Sequence, residues 1–130
     1  MTHQAAQSSA YSAKILHIVP RIAPDIDGVG EYSLRLSKQL RSHHNINTTF
    51  LVIRPSEQTP QQLQGFEVRS LRTHTVEAFL DQIPEDVSTV VLQYSNYPYL
   101  QGKLDVPIWL AFAMKALQAK GIKTVVMFHE

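Results

Sequence analysis

Five short apolar segments, separated by longer stretches, constrain the fold more than any other feature. They have the length and composition of buried β-strands and occupy residues 14–20, 48–54, 66–71, 87–94 and 122–128. The stretch after the first segment has apolar side chains at the spacing of one helix face: Val29, Tyr32, Leu36 and Leu40. Strands that alternate with helices indicate a parallel sheet covered on both faces. The sequence therefore predicts an α/β fold with an open, doubly wound, Rossmann-like parallel sheet of about five strands in the order 3-2-1-4-5.

Two further helices complete the predicted alternation. Residues 76–83 show helical apolar spacing, and Thr75 precedes them as an N-cap. The other helix covers residues 107–120 and is apolar around most of its circumference. We expect it to be heavily buried, with Trp109 and Phe112 in the core.

Composition bounds the kind of protein. The chain has 130 residues, of which 44% are hydrophobic and 18% charged, as expected for one globular domain. Residues 1–13 are polar and predict a flexible tail, and residues 14–130 predict a single domain that stops after its fifth strand. The tail has no signal-peptide pattern and the chain has no cysteine, which agrees with a cytoplasmic location.

Charge and hydropathy also limit the partners. The formal net charge is +1, so no broad positive field would attract nucleic acid. The longest apolar run, residues 108–117, is too short to cross a bilayer. Peripheral contact with a membrane surface stays open.

Candidate site residues follow from the predicted strand order. Its switch point lies between the first and fourth strands, so loops 21–30 and 95–106 face each other across a crevice, where such folds bind ligands. Tyr94 and Ser95 lie at the end of the fourth strand, and His129 and Glu130 at the end of the fifth. His129 fits either a ligand-binding group or a strand-end residue bonded to a neighbouring loop. Tyr94 fits either a residue that lines a ligand cleft or a residue that anchors a loop to the core.

The first loop leads into a helix through Gly28 and Gly30. Free amides at a helix N-terminus bind anions, and glycine lets a ligand approach the backbone. The pair fits this role and a simple glycine turn equally well. Asp25 and Asp27 spell the Asp-x-Asp pattern of some metal sites, but they also suit the positive end of the helix dipole, and we predict no metal site. Ser33 stands where a dinucleotide-binding motif needs its third glycine, which disfavours an oxidoreductase.

Two stretches carry a family resemblance. KILHIVPRIAPDIDGVGEYSLRLSKQL (residues 14–40) resembles the opening of the retaining family 4 glycosyltransferases of the GT-B fold, with a strand, a glycine-rich loop and a helix that begins near Gly-x-Gly-Glu. VVLQYSNYPYLQGKLDVPIWLAFAMKALQAKGIKTVVMFHE (residues 90–130) resembles a later part of the same domain, which ends in a histidine-containing strand terminus. Family members often have two adjacent glycines in the first loop, whereas Asp27 precedes Gly28 here.

The resemblance implies transfer of a sugar, with retention, from a nucleotide-activated donor to an acceptor, with no cofactor besides the nucleotide sugar. Gly28 and Gly30 would approach the donor diphosphate, and His129 would be the catalytic histidine that contacts the donor sugar or its phosphate. Tyr94, Ser95 and Glu130 would line the acceptor side.

Most nucleotide-binding groups of that family lie in a C-terminal domain. We therefore expect this chain to need that domain or a partner chain, and to be inactive alone. The alternative is a non-catalytic α/β binding module that associates with a partner through an unfinished sheet edge.

Overall fold

A computed structural model describes residues 11–95 and 108–129. In chain order the elements are β1 (Ala13–Val19), α1 (Gly28–His44), β2 (Ile46–Val52), β3 (Gln62–Leu63), β4 (Phe66–Ser70), α2 (Val76–Asp81), β5 (Thr89–Ser95), α3 (Ile108–Ala119) and β6 (Lys123–His129). The predicted α/β class is confirmed: the sheet has six strands, is mostly parallel and is consistent with a Rossmann-like fold.

The predicted strand count and order were wrong in one respect. The five predicted strands are β1, β2, β4, β5 and β6, but the observed order is β3-β4-β2-β1-β5-β6. The additional strand β3 pairs antiparallel with β4 at one edge. The chain reverses there through Gln64 (φ 50°) and Gly65 (φ 87°), the backbone that a two-residue hairpin turn requires. A strand of two residues leaves no periodic pattern in the sequence.

The predicted tail boundary falls close to the start of the sheet. Residues 1–10 lie outside the described residues. The Ser12 N–H donates to the Asn45 carbonyl at 2.9 Å, and β1 begins at Ala13. The sheet thus begins one residue before the predicted start of the domain.

Two apolar layers cover the faces of the sheet. On one face α1 packs over β1, β2 and β4, where Leu34 joins Phe50 and Phe66. On the other face α2 and α3 pack over the sheet, where Phe79 and Leu117 join the core of β1 and β2.

The helix α3 is less buried than predicted. Leu110, Ala113 and Leu117 face the core, and Trp109 packs against it in part. Phe112 is 60% exposed, so its predicted place in the core was wrong. An apolar circumference does not show which side of a helix the sheet covers, and here the sheet covers only one.

The helix α1 meets the sheet through small side chains. Its buried residues are Gly30, Ser33, Leu34 and Ser37, whereas Tyr32, on the predicted apolar face, is 42% exposed. Opposite Ser37 lies His17 of β1, which is 1% exposed and contacts the Ser37 hydroxyl through Nδ1 at 3.2 Å. His17 is therefore the packed, hydrogen-bonded core residue that its place in a strand favours.

Among the described residues, no helix combines the length and the apolar character that crossing a bilayer requires.

Candidate functional site

The sheet has its switch point between β1 and β5. From β1 the chain crosses over through α1 to β2 on one side, and from β5 it crosses over through α3 to β6 on the other. The two crossovers leave in opposite directions, and in open α/β sheets ligands bind outside the carboxyl ends of the strands at such a point. The predicted position of the switch point, between the first and fourth predicted strands, is confirmed.

The two glycines lie inside the first turn of α1 rather than in a loop before it. The Asp27 carboxylate caps the helix, because its Oδ2 accepts from the Gly30 N–H at 2.8 Å. That amide is therefore already bonded. Asp25 is also engaged, since its Oδ2 accepts from the Ser56 hydroxyl at 2.7 Å.

The surroundings of Gly28 and Gly30 differ. A Cβ added at Gly28 would meet no atom within 4 Å. A Cβ added at Gly30 would overlap the Arg21 carbonyl oxygen and lie 3.2 Å from Ile22 Cα. Gly30 thus lets the helix pack against the segment after β1, and Gly28 keeps open space beside the helix N-terminus.

His129 ends β6 on the face covered by α1. Its Nε2 lies 2.6 Å from Gln93 Oε1 on β5. The Gln93 amide nitrogen donates to Met127 Sδ at 3.4 Å, which leaves Oε1 as the acceptor for an Nε2–H of His129. In the neutral ring this tautomer leaves the Nδ1 lone pair for another donor.

Gln93 fixes the orientation of this histidine. Its side chain is 1% exposed and stands in an otherwise apolar strand. A buried amide costs free energy unless its polar atoms are bonded, and His129 and Met127 provide those bonds. Gln93 was not predicted as a site residue, although a glutamine inside the apolar run VVLQY was a signal.

Tyr32 of α1 also contacts His129. Its ring lies 5.1 Å from the His129 ring in an edge-to-face arrangement, with 71° between the planes. The tyrosine comes from the second turn of α1, just past Gly28. The helical spacing placed Tyr32 on a packing face and gave no indication that it contacts the end of β6.

The remaining predicted residues do not all join this group. Tyr94 lies on the opposite face of the sheet, because neighbouring strand residues alternate, and its ring contacts Phe128 at 5.8 Å. The backbone of Ser95 pairs with His129 in the parallel register. The Ser95 side chain and Glu130 lie outside the described part of the chain.

Within residues 11–95 and 108–129, no three histidine, aspartate or glutamate side chains are grouped so that they could hold a metal ion. Comparison of this chain with family models, curated proteins and solved structures found no match.

Proposed function

We propose that this chain is the N-terminal, acceptor-side portion of a retaining GT-B glycosyltransferase, related to the family that its first and last segments resemble. The observation that carries the proposal is the geometry of His129. Its ring ends β6, is fixed through Nε2 by Gln93 and is faced by Tyr32 of α1. This arrangement supports a ligand contact at Nδ1, from a sugar hydroxyl when the ring is neutral and from a phosphate when it is protonated.

In the proposed sugar transfer, this domain mainly positions the reacting groups. As the bond between the sugar carbon and the diphosphate breaks, positive charge develops on the sugar and negative charge on the leaving group. Fixed donors stabilise such a leaving group without requiring a metal ion. Open space beside Gly28 supports close approach of the diphosphate to the α1 N-terminus.

The proposal includes a partner. The remaining donor contacts would come from a C-terminal domain or a separate chain, and the acceptor is a molecule bound by this domain. The isolated 130-residue chain is therefore expected to show no turnover. The proposed setting is the cytoplasm, with peripheral membrane contact allowed.

Binding of nucleotide sugars tests the proposal. Titration with uridine diphosphate and guanosine diphosphate sugars, followed by NMR, is expected to shift the His129 ring and the Gly28 amide saturably. His129→Ala is expected to weaken binding about tenfold, the effect of losing one hydrogen bond to a charged group. His43→Ala, at the far end of α1, is the matched control. Equal affinities of the wild type and His129→Ala would contradict the proposal.

One observation favours the alternative of a non-catalytic module. Four large apolar side chains on α3 and β6 are strongly exposed: Ile108 (73%), Phe112 (60%), Val126 (43%) and Phe128 (78%). Within the described residues β6 pairs only with β5. On this alternative a strand of another polypeptide pairs with β6. Sedimentation velocity, together with the nucleotide-sugar titration, separates the two functions. A monomer that binds nucleotide sugar supports the enzyme, and a chain that associates and does not bind nucleotide sugar supports the module.

A further inference from the structure

Three arginines end three neighbouring strands at the same level. In the parallel register Val19, Val52 and Ser70 are aligned across β1, β2 and β4. Two residues further on come Arg21, Arg54 and Arg72, respectively. Hydrogen bonds continue the alignment past the strands, because Ile53 N–H donates to the Val19 carbonyl at 3.0 Å and Leu71 N–H to the Val52 carbonyl at 2.9 Å. We call Arg21, Arg54 and Arg72 the arginine row.

The spacing of the row is close for like charges. Neighbouring strands lie about 4.8 Å apart. Arginine side chains from the three backbones are therefore long enough to meet at one small anion. Like charges on neighbouring strands destabilise a sheet unless something compensates them. All three side chains are exposed at the carboxyl edge, where open α/β sheets bind ligands.

The outer two arginines of the row, Arg21 and Arg72, also differ from the arginines elsewhere in their partners. Arg35 pairs with Glu31, Arg41 donates to the Gln64 carbonyl, and Arg69 pairs with Glu67. In contrast, Arg21 and Arg72 have no hydrogen bond or ion pair to any described residue. The arginines that stabilise the fold are thus distinct from the outer two members of the row.

The acidic residues of these loops are largely committed elsewhere. Asp27 caps α1 and Asp25 accepts from Ser56. Glu57 is exposed beyond Arg54. At the other end of the row, Arg72 lines a cavity of about 680 Å³ together with Ser70, Gln61, Gln62, Gln82 and the Glu67–Arg69 ion pair. That volume holds a ligand the size of a sugar phosphate, and its lining offers hydroxyl and amide groups.

We infer that the arginine row binds a phosphoryl group, and that the acceptor of the proposed transfer carries it. Guanidinium groups match phosphate oxygens with two parallel hydrogen bonds each, which makes arginine the suited residue for this ligand. Only the identification of the ligand as acceptor rests on the proposed function. The row lies on the β1-β2-β4 side of the switch point, whereas His129 lies on the β5-β6 side, so the phosphoryl group of the acceptor would bind on the opposite side of the switch point from His129.

Side-chain NMR of the arginine Nε–H groups tests the inference. Titration with inorganic phosphate and with a soluble sugar phosphate is expected to shift signals of Arg21, Arg54 and Arg72 saturably, and more weakly as salt is added. Arg21→Gln and Arg72→Gln are each expected to weaken binding about tenfold. Arg35→Gln removes an exposed arginine away from the row and is the matched control. Urea unfolding of each variant verifies that it is folded.

A second experiment distinguishes a phosphate group on a soluble molecule from one in a lipid headgroup. Vesicles of neutral phosphatidylcholine, with and without an anionic phospholipid, replace the soluble probe in a sedimentation assay. Row-dependent binding to the soluble probe assigns a soluble acceptor, and row-dependent binding to anionic vesicles alone assigns a lipid headgroup. Absence of both, or an equal loss in Arg35→Gln, overturns the inference.

If the proposed function is wrong but the arginine row binds phosphate, the two titrations give a different result. Phosphate would then shift the arginine signals while nucleotide sugars left the His129 ring unchanged. In that case the phosphoryl site stands and only its description as an acceptor site is lost.

Discussion

Gly28 and Gly30 stand two residues apart in the first turn of α1, yet the structure gives them different constraints. An added methyl group has free space at Gly28 but overlaps the Arg21 carbonyl at Gly30. A motif of the form Gly-x-Gly cannot separate these roles, because both positions look equal in sequence. The packing requirement at Gly30 depends on where the segment after β1 runs, and only the folded chain defines that.

Alanine substitution tests this difference. Gly30→Ala is expected to lower the free energy of unfolding by about 3 kcal/mol, because backbone atoms must move apart to admit the methyl group. Gly28→Ala is expected to change it by less than about 1 kcal/mol, since alanine favours the helix and meets nothing. Urea denaturation of both variants measures the two values. Similar losses in both would show that the close contact at Gly30 is not the constraint.

At the scale of elements, the helix N-termini are set by side chains next to them in sequence, of which Thr75 was predicted as a cap and Asp27 only as a charge favourable to the helix dipole. Thr75 accepts from the Ala78 N–H at 3.1 Å and begins α2 at Val76, as its position predicted. Asp27 does the same for α1, a helix of 17 residues. Caps are readable because their hydrogen bonds are local. The exposure of Phe112 and the two-residue strand β3 could not be predicted from the sequence, because both depend on contacts between distant segments.

Removing the α1 cap tests its contribution. Asp27→Ala is expected to cost about 1 kcal/mol, because the Gly30 amide loses its acceptor and the helix dipole loses a nearby negative charge. Asp27→Asn keeps an acceptor and is expected to retain most of the stability. Thermal unfolding followed by circular dichroism compares the variants. An alanine variant as stable as the wild type would contradict the capping role.

The candidate site was predictable in the same uneven way. Its location at the switch point and the presence of His129 followed from strand order and from a histidine at a strand end. Gln93 and Tyr32 did not, because each contacts His129 from a different element, and the helical period placed Tyr32 with the packing residues. Nor did the alignment of Arg21, Arg54 and Arg72, which depends on strand register.

At the scale of the whole molecule, one buried titratable group lies between α1 and the sheet. Burial lowers the pKa of the His17 imidazole from its ordinary 6.5 to about 4. Among residues 11–95 and 108–129 its Nε2 has no hydrogen-bond partner, and its ring packs edge-to-face on Phe50. The unfolded chain therefore binds a proton below pH 6.5 that the folded chain takes up only near pH 4, so acid favours unfolding.

Stability is expected to fall by about 3 kcal/mol between pH 7 and pH 4 through His17 alone. His17→Leu removes this contribution, so its unfolding free energy should decline less steeply than that of the wild type over that window. His43→Gln, at an exposed position, should keep the wild-type slope. Urea denaturation at several pH values gives the slopes. Equal slopes in His17→Leu and the wild type would show that His17 does not titrate in this way.

The two margins of the sheet are unequal, and this limits how copies of the chain can join. At one margin the antiparallel strand β3 pairs with β4, and the Gln61 carbonyl accepts from the Val68 N–H of β4. Arg41 of α1 stabilises the β3–β4 turn, because it donates to the Gln64 carbonyl and its guanidinium lies over the Phe66 ring. At the other margin, within the described residues, β6 has no outer neighbour. Endless filaments need two different complementary surfaces on each copy, whereas one open edge pairs with itself about a two-fold axis and is then used up. An assembly in which two copies pair through β6 about a two-fold axis would therefore stop at two chains.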